Sequence, residues 1–143
     1  MDPDEPGTIL IVEDNPSDVY LIEAALAEHR IPHRLQIVNN GEAAIEFLQR
    51  AVRPDSDIAR PDLILLDQSL PRRSGREVLD ALQRLDPARL MRVIVMSSID
   101  SQISACESAQ SNVDGYFTKP SSLDEFMTLG RLVRTILLEA PKK

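Results

Sequence analysis

The sequence predicts an α/β fold: a doubly wound (βα)5 domain around a five-stranded parallel sheet in the order 2-1-3-4-5. Three observations predict it. Short apolar runs alternate with longer amphipathic segments five times along the chain, the rhythm of strands joined by crossover helices. Runs such as Leu63-Ile64-Leu65-Leu66 are continuously apolar, as in strands covered on both faces. Polar residues collect at the C-terminal ends of these runs, where ligands sit in open α/β sheets.

Residues 8–14, TILIVED, form the first strand by their β-branched run. A helix follows over 15–30: Asn15 suits the N-cap, Pro16 the first helical position, and Asp18 the positive end of the helix dipole. Val19, Ile22, Ala25, Leu26 and His29 make its inner stripe. Residues 33–39 are the second strand and 41–51 the second helix, with Ala44, Ile45 and Leu48 inward. A polar loop with two prolines, 52–61, leads to the third strand, 62–67. Residues 74–86 are a helix with Val78, Leu79, Leu82 and Leu85 on one side, and 91–98 the fourth strand. A helix with a thin apolar face is expected over 100–112, then a short strand over 114–119. The last helix runs over 121–140, capped by Ser121 or Ser122 with Glu125 placed for a capping box. Phe126, Leu129, Val133, Ile136 and Leu137 face the core, while Leu132 and Leu138, off that stripe, point to a homodimer.

The 143 residues, 43% of them hydrophobic, suffice for one domain with its own core. The expected division is a tail over 1–7, a globular domain over 8–140 and a tail over 141–143. A net charge of −7 argues against nucleic acid and anionic membranes as partners, since both select basic surfaces. The single cysteine, Cys106, cannot form an internal disulfide, and with only two histidines a Cys/His zinc site is excluded. The acidic opening MDPDEPG is no signal peptide, and no apolar stretch reaches a membrane span. A cytoplasmic location is the expectation.

The chemistry lies at the strand ends. The first strand closes on Glu13-Asp14, the third on Asp67, the fourth on Ser97-Ser98 and the fifth on Lys119-Pro120. In the 2-1-3-4-5 order these ends share one edge. Gathered carboxylates repel: two unit charges about 4 Å apart cost roughly 4 kcal/mol at an effective dielectric of 20. A hard cation such as Mg²⁺, which prefers oxygen ligands, would offset that, and Lys119 adds a further positive charge. A divalent ion, a lysine, a hydroxyl and a nucleophilic carboxylate are the components of phosphoryl transfer.

These motifs resemble the receiver domains of two-component response regulators, the chemotaxis-regulator branch of the flavodoxin-like fold. LIVEDN is similar to the acidic pair of the first strand, and LILLDQSLPRRSGREVL to the acceptor strand and loop, with Pro71 and Gly75 in place. VIVMSS carries the hydroxyl and GYFTKP the aromatic and Lys-Pro positions. The match runs from about 8 to 138. VEDNPSDVYLIEAAL, LPRRSGREVL and SLDEF are most similar to stand-alone receivers that partner phytochrome-type histidine kinases.

The resemblance implies a role for each position. Asp67 accepts a phosphoryl group from a histidine kinase. Asp14 binds Mg²⁺ directly, Glu13 through water, and Asp67 and the Ser69 backbone carbonyl complete the metal site. Ser97 bonds the phosphoryl oxygen in the active state, Lys119 pairs with it, and Tyr116 is an aromatic switch coupled to Ser97. A cis bond is implied before Pro120. Gln68 stands where an apolar residue is frequent, Ser97 where Thr is, and Ser98 where Ala is; the last bears on dephosphorylation.

Plainer readings exist. Asp67 could only end a strand, Glu13-Asp14 could only cap a helix, and Arg72 and Arg73 read best as solvated loop charges. The expected function is a single-domain response regulator that catalyses its own phosphorylation and dephosphorylation and signals through a downstream protein target or phosphotransfer protein. The alternative is a phosphorylation-independent scaffold. An aspartyl phosphatase is disfavoured by Ser69, which stands where such enzymes carry a second aspartate. A flavin carrier is disfavoured by an acidic first loop and 3% aromatics.

Overall fold

The computed structural model describes residues 7–68, 75–97 and 113–138. Strands β1 (Gly7–Val12), β2 (His33–Val38), β3 (Leu63–Asp67), β4 (Arg92–Ser97) and β5 (Gly115–Thr118) form one sheet in the order β2-β1-β3-β4-β5. Every pairing is parallel. The helices are α1 (Pro16–Glu28), α2 (Gly41–Ala51), α3 (Gly75–Leu85), α4 (Leu123–Phe126) and α5 (Leu129–Leu138). Fold class and strand order agree with the sequence reading. The helix expected over 100–112, with Cys106, lies outside the described residues, as do Ser69, Pro71, Arg72, Arg73 and Ser98.

The central strands are buried along their whole length, which explains why they read as unbroken apolar runs. Period-two alternation splits their side chains between two cores. Ile9, Ile11, Leu63, Leu65, Ile94 and Met96 pack with α1, α4 and α5. Leu10, Val12, Ile64, Leu66, Val93 and Val95 pack with α2 and α3. The predicted stripes of α2, α3 and α5 are the ones that meet these cores.

The caps follow the sequence. Asn15 Oδ1 accepts from Ser17 N at 2.9 Å, and Asn40 Oδ1 accepts from Ala43 N at 2.7 Å. Of the two serines before the last helical region, Ser122 is the cap, its Oγ accepting from Glu125 N at 3.1 Å. At the other end, Arg92 Nη1 reaches across from β4 to donate to the Ile136 carbonyl in the last turn of α5, where a cation suits the negative end of the dipole.

Three expectations need correction. The single helix over 121–140 is broken into α4 and α5. His29, at the end of the inner stripe of α1, donates Nε2–H to the Met127 carbonyl at 3.0 Å. That carbonyl is thereby drawn out of the regular helical ladder, and Thr128 N and Gly130 N close tighter bonds to residues three back. Gly130 permits the approach: a Cβ there would lie 2.2 Å from His29 Cδ2 and 2.5 Å from the Ala25 carbonyl oxygen. Leu132 packs against the α1/α5 core, leaving Leu138 as the exposed member of the expected second face. The peptide bond before Pro120 is trans, as no described peptide is cis; trans is the lower-energy isomer of X–Pro by about 0.5–1 kcal/mol.

Candidate functional site

All strands run the same way, so their C-terminal ends share one edge, with β3 between β1 and β4. Asp67 is the last residue of β3 and is buried, 5% exposed. Strand alternation aims it away from Leu66 and toward the face covered by α1 and α5. Continued one residue past β1 and β5, the same alternation sends Glu13 and Lys119 to that face too. The convergence of Glu13, Asp67 and Lys119 is therefore a consequence of register.

Lys119 is the centre of the cluster. Its Nζ donates to Glu13 Oε2 at 2.7 Å and to Asp18 Oδ2 at 2.9 Å. Asp67 Oδ1 lies further off, at 3.5 Å. The Lys119 backbone N–H donates to the Ser97 carbonyl at 2.7 Å, fixing the root of its side chain to the end of β4. Glu13 is 2% exposed, and its other carboxylate oxygen accepts from Asn15 N at 3.1 Å. The start of α1 is thus tied to the same acidic group.

Burial pushes the Glu13 pKa from an ordinary 4.5 up to about 7; Lys119 works against this and the Asp67 charge adds to it. For Lys119, burial disfavours the ammonium, but Glu13, Asp18 and Asp67 outweigh it and raise its pKa above the ordinary 10.5. The lysine is a fixed positive charge at any physiological pH, whereas Glu13 titrates near neutrality.

Glu13, Asp14 and Asp67 each offer a carboxylate oxygen, and these oxygens lie within 4.8 Å of one another. Glu13 and Asp67 are buried and Asp14 is exposed. The set has a protected floor and an open rim, so a cation could enter from solvent. Its all-oxygen donors match a hard divalent ion. Gly75, first residue of α3, sits close behind: a Cβ there would be 3.0 Å from Gln68 Cα and 3.1 Å from the Asp67 carbonyl oxygen. The helix N-terminus can approach the backbone of residues 67–68 this closely because glycine has no Cβ.

The remaining predicted residues divide. Ser97 is buried at the end of β4, next to Asp67 in strand order. Tyr116 is partly buried and packs on the α2/α3 core, paired in register with Val95. Alternation puts Ser97 and Tyr116 on the same face of the sheet, opposite to Asp67 and Lys119. The Ser69 carbonyl lies outside the described residues.

Asp18 was missed as a site residue. In the sequence it reads as a first-turn acid favouring the dipole, and the structure adds a direct bond to Lys119. The signal was available. With Asn15 as N-cap, Asp18 is the third helical residue, and helical side chains lean toward the N-terminus. That direction is back toward the end of β1.

Comparison with known proteins shows the family. The response regulator receiver domain model matches residues 9–130. Response regulator Rcp1 of Synechocystis sp. is 32% identical over 134 residues, covering 94% of this chain and 90% of its own. Two solved structures superpose closely. One is the phosphorylated cyanobacterial phytochrome response regulator RcpA, with TM-score 0.76 at 31% identity over 93% of this chain and 94% of that one. The other is the Mn²⁺-bound form of Rcp1, with TM-score 0.73 at 33% identity over 96% and 98%. A family model spanning most of the sequence, on a sheet whose C-terminal edge holds Glu13, Asp14, Asp67 and Lys119, leaves one assignment: the chain belongs to the response regulator receiver domain family.

Proposed function

We propose that this receiver takes a phosphoryl group from a histidine kinase onto Asp67, in the presence of Mg²⁺, and passes its signal on through protein contacts. The observation that carries this is the cluster itself: Asp67 at the tip of the central strand, within 4.8 Å of two further carboxylates and beside a lysine held 2.7 Å from one of them. Kinases of the phytochrome type are the favoured partners, supported by likeness to Rcp1 and RcpA. The reading carries with it a cytoplasmic location, the compartment of a kinase that uses ATP.

The donor set fits the ion: hard oxygens, a buried floor and an open rim. Asp14 and Asp67 would hold Mg²⁺, with Glu13 behind them and the Ser69 carbonyl added to the set. Bound there, Mg²⁺ would neutralise charge on the phosphoryl oxygens. The chain does the rest. An Asp67 carboxylate oxygen bonds to phosphorus as the phosphohistidine phosphorus–nitrogen bond breaks, and the ring leaves with the electron pair, taking up one proton from solvent to become neutral imidazole. Lys119 donates to a phosphoryl oxygen, and Ser97 supplies a hydroxyl. Tyr116, on the face of Ser97, would respond to a shift of that residue.

The first test needs no kinase. Phosphoramidate and Mg²⁺ should load one phosphoryl group per chain, read by intact mass or Phos-tag electrophoresis. Asp67→Asn should abolish loading, as should chelation of Mg²⁺. Equal loading in wild type and Asp67→Asn would refute the assignment. An Asp67→Asn protein that still bound its partner and signalled would favour the phosphorylation-independent scaffold.

A further inference from the structure

Lys119 carries its ammonium nearly buried, with 11% of the side chain accessible, among three carboxylates at unequal distances. Nζ lies 2.7 Å from Glu13 Oε2 and 2.9 Å from Asp18 Oδ2, but 3.5 Å from Asp67 Oδ1. The first two are hydrogen bonds; the third exceeds the usual donor–acceptor range of about 2.7–3.2 Å. The ammonium is seated on the α1 side of the site, short of the strand tip. Glu13, one of its two anchors, belongs to the carboxylate set that could hold a cation. Asp18, the other, lies outside that set. Its place is set locally: Asn15 caps α1 and Pro16 opens it, so the third helical side chain leans back toward the end of β1.

Without the Asp18 carboxylate, one ammonium N–H would lose its acceptor in a nearly buried place, which costs more for a charged donor than for a neutral one. The carboxylate at hand is Asp67, about half an ångström beyond bonding distance. Lys119 would close on it and bond the group a divalent ion needs, setting a positive charge against that ion. Loss of the Asp18 charge would also leave the edge less negative. Both effects weaken cation binding, so they act with one sign. We propose that Asp18 is a positioning residue of the metal site: it seats the Lys119 ammonium on the α1 side and keeps the lysine from closing on Asp67 ahead of Mg²⁺.

Because this rests on Glu13, Asp14 and Asp67 being the cation site, the experiment separates the two. Mg²⁺ is titrated by calorimetry into the metal-free full chain at one fixed pH above the Glu13 titration. Asp18→Asn keeps the shape and removes the charge, and its Mg²⁺ Kd should rise about fivefold, the scale of a partly exposed ion pair. Asp18→Glu, which restores the charge, should return Kd toward wild type. In a Lys119→Gln background there is no ammonium to move, and Asp18→Asn should raise Kd by no more than about twofold, the screened charge alone. A crystal structure of metal-free Asp18→Asn should show Lys119 Nζ within about 3 Å of an Asp67 carboxylate oxygen. An unchanged or lower Kd in Asp18→Asn overturns the inference, as does an equal loss with and without Lys119, or a lysine still 3.5 Å from Asp67. A residue that merely supported the fold would lower the melting temperature with no loss of affinity that depends on Lys119. A wild type that binds Mg²⁺ no better than Asp67→Asn overturns both this inference and the reading beneath it.

Discussion

At the edge of the sheet where the strands begin, Asp62, Asp86 and Asp114 accept hydrogen bonds from fixed backbone donors; where the strands end, Glu13, Asp18 and Asp67 converge on a lysine. At the first edge Asp62 Oδ2 accepts from Thr8 N at 2.9 Å, linking β3 to β1. Asp86 takes Leu90 N and Met91 N at 3.1 and 2.8 Å, shaping the turn into β4. Asp114 takes Val93 N at 2.9 Å and faces Arg89 at 3.7 Å. These carboxylates stitch neighbouring strands together. At the second edge the carboxylates face one another, and Lys119 bridges three of them. One residue type serves stability where backbone donors meet it and chemistry where like charges are crowded. The first edge should lose stability when its acids are removed; the second should not.

Asp86→Ala is the largest break we expect. Asp86 is 7% exposed, so the Leu90 and Met91 N–H groups would lose an ionised acceptor in a largely buried setting. Two charge-assisted bonds together contribute about 4 kcal/mol, and melting should fall by roughly 10 °C for a domain of this size. Asp86→Asn keeps one acceptor oxygen and should fall about half as far. Mg²⁺ binding, measured by calorimetry, should be unaltered in whichever variant remains folded at the assay temperature. Loss of Mg²⁺ affinity with the fold intact would break the division between the edges.

The pH dependence sharpens the comparison at the second edge. Glu13 titrates at about 7 in the fold and near 4.5 as an ordinary glutamate. Between those values the folded chain binds more protons than the unfolded one, so stability falls as pH rises from about 4.5 to 7 and levels off above. The contribution is of order 3–4 kcal/mol, taking a pKa unit as about 1.4 kcal/mol. It should be read as the difference between wild type and Glu13→Gln in metal-free buffer at each pH, which cancels the other titrating groups. A difference flat over this window would mean that Glu13 is ionised throughout.

Much of this was legible in the sequence, and the gaps have physical causes. Strands, caps and stripes came from local signals: Asn15-Pro16, the unbroken Leu63–Leu66 run, Ser121 or Ser122 with Glu125. The meeting of Glu13, Asp67 and Lys119 followed once five parallel strands were assumed, because register alone assembles it. The break between α4 and α5 was hidden. It depends on His29, nearly a hundred residues away, bonding the Met127 carbonyl over the bare Gly130, and periodicity carries no information about a partner so distant. Asp18 was half legible: its cap position was read, its direction was not. Asp62, Asp86 and Asp114 look like ordinary turn acids, and only the structure shows which backbone N–H each one meets.

The smallest expected effect is the most telling for the contrast. Asp67→Asn removes a buried charge whose repulsion raises the Glu13 pKa, while Lys119 keeps its two shorter bonds to Glu13 and Asp18. Relief of repulsion should outweigh loss of the 3.5 Å contact. The metal-free variant should be as stable as wild type or more so, by about 1 kcal/mol. Scanning calorimetry would show melting raised by a few degrees, opposite in sign to Asp86→Ala. Millimolar Mg²⁺ should then invert the order, because a bound ion stabilises the fold according to its affinity and Asn offers the ion a neutral oxygen in place of a carboxylate. Wild type should gain several degrees from Mg²⁺ and Asp67→Asn little. A variant less stable than wild type without metal would mean that Asp67 supports the fold as Asp86 does, and the division of labour between the two edges would fail at its central residue.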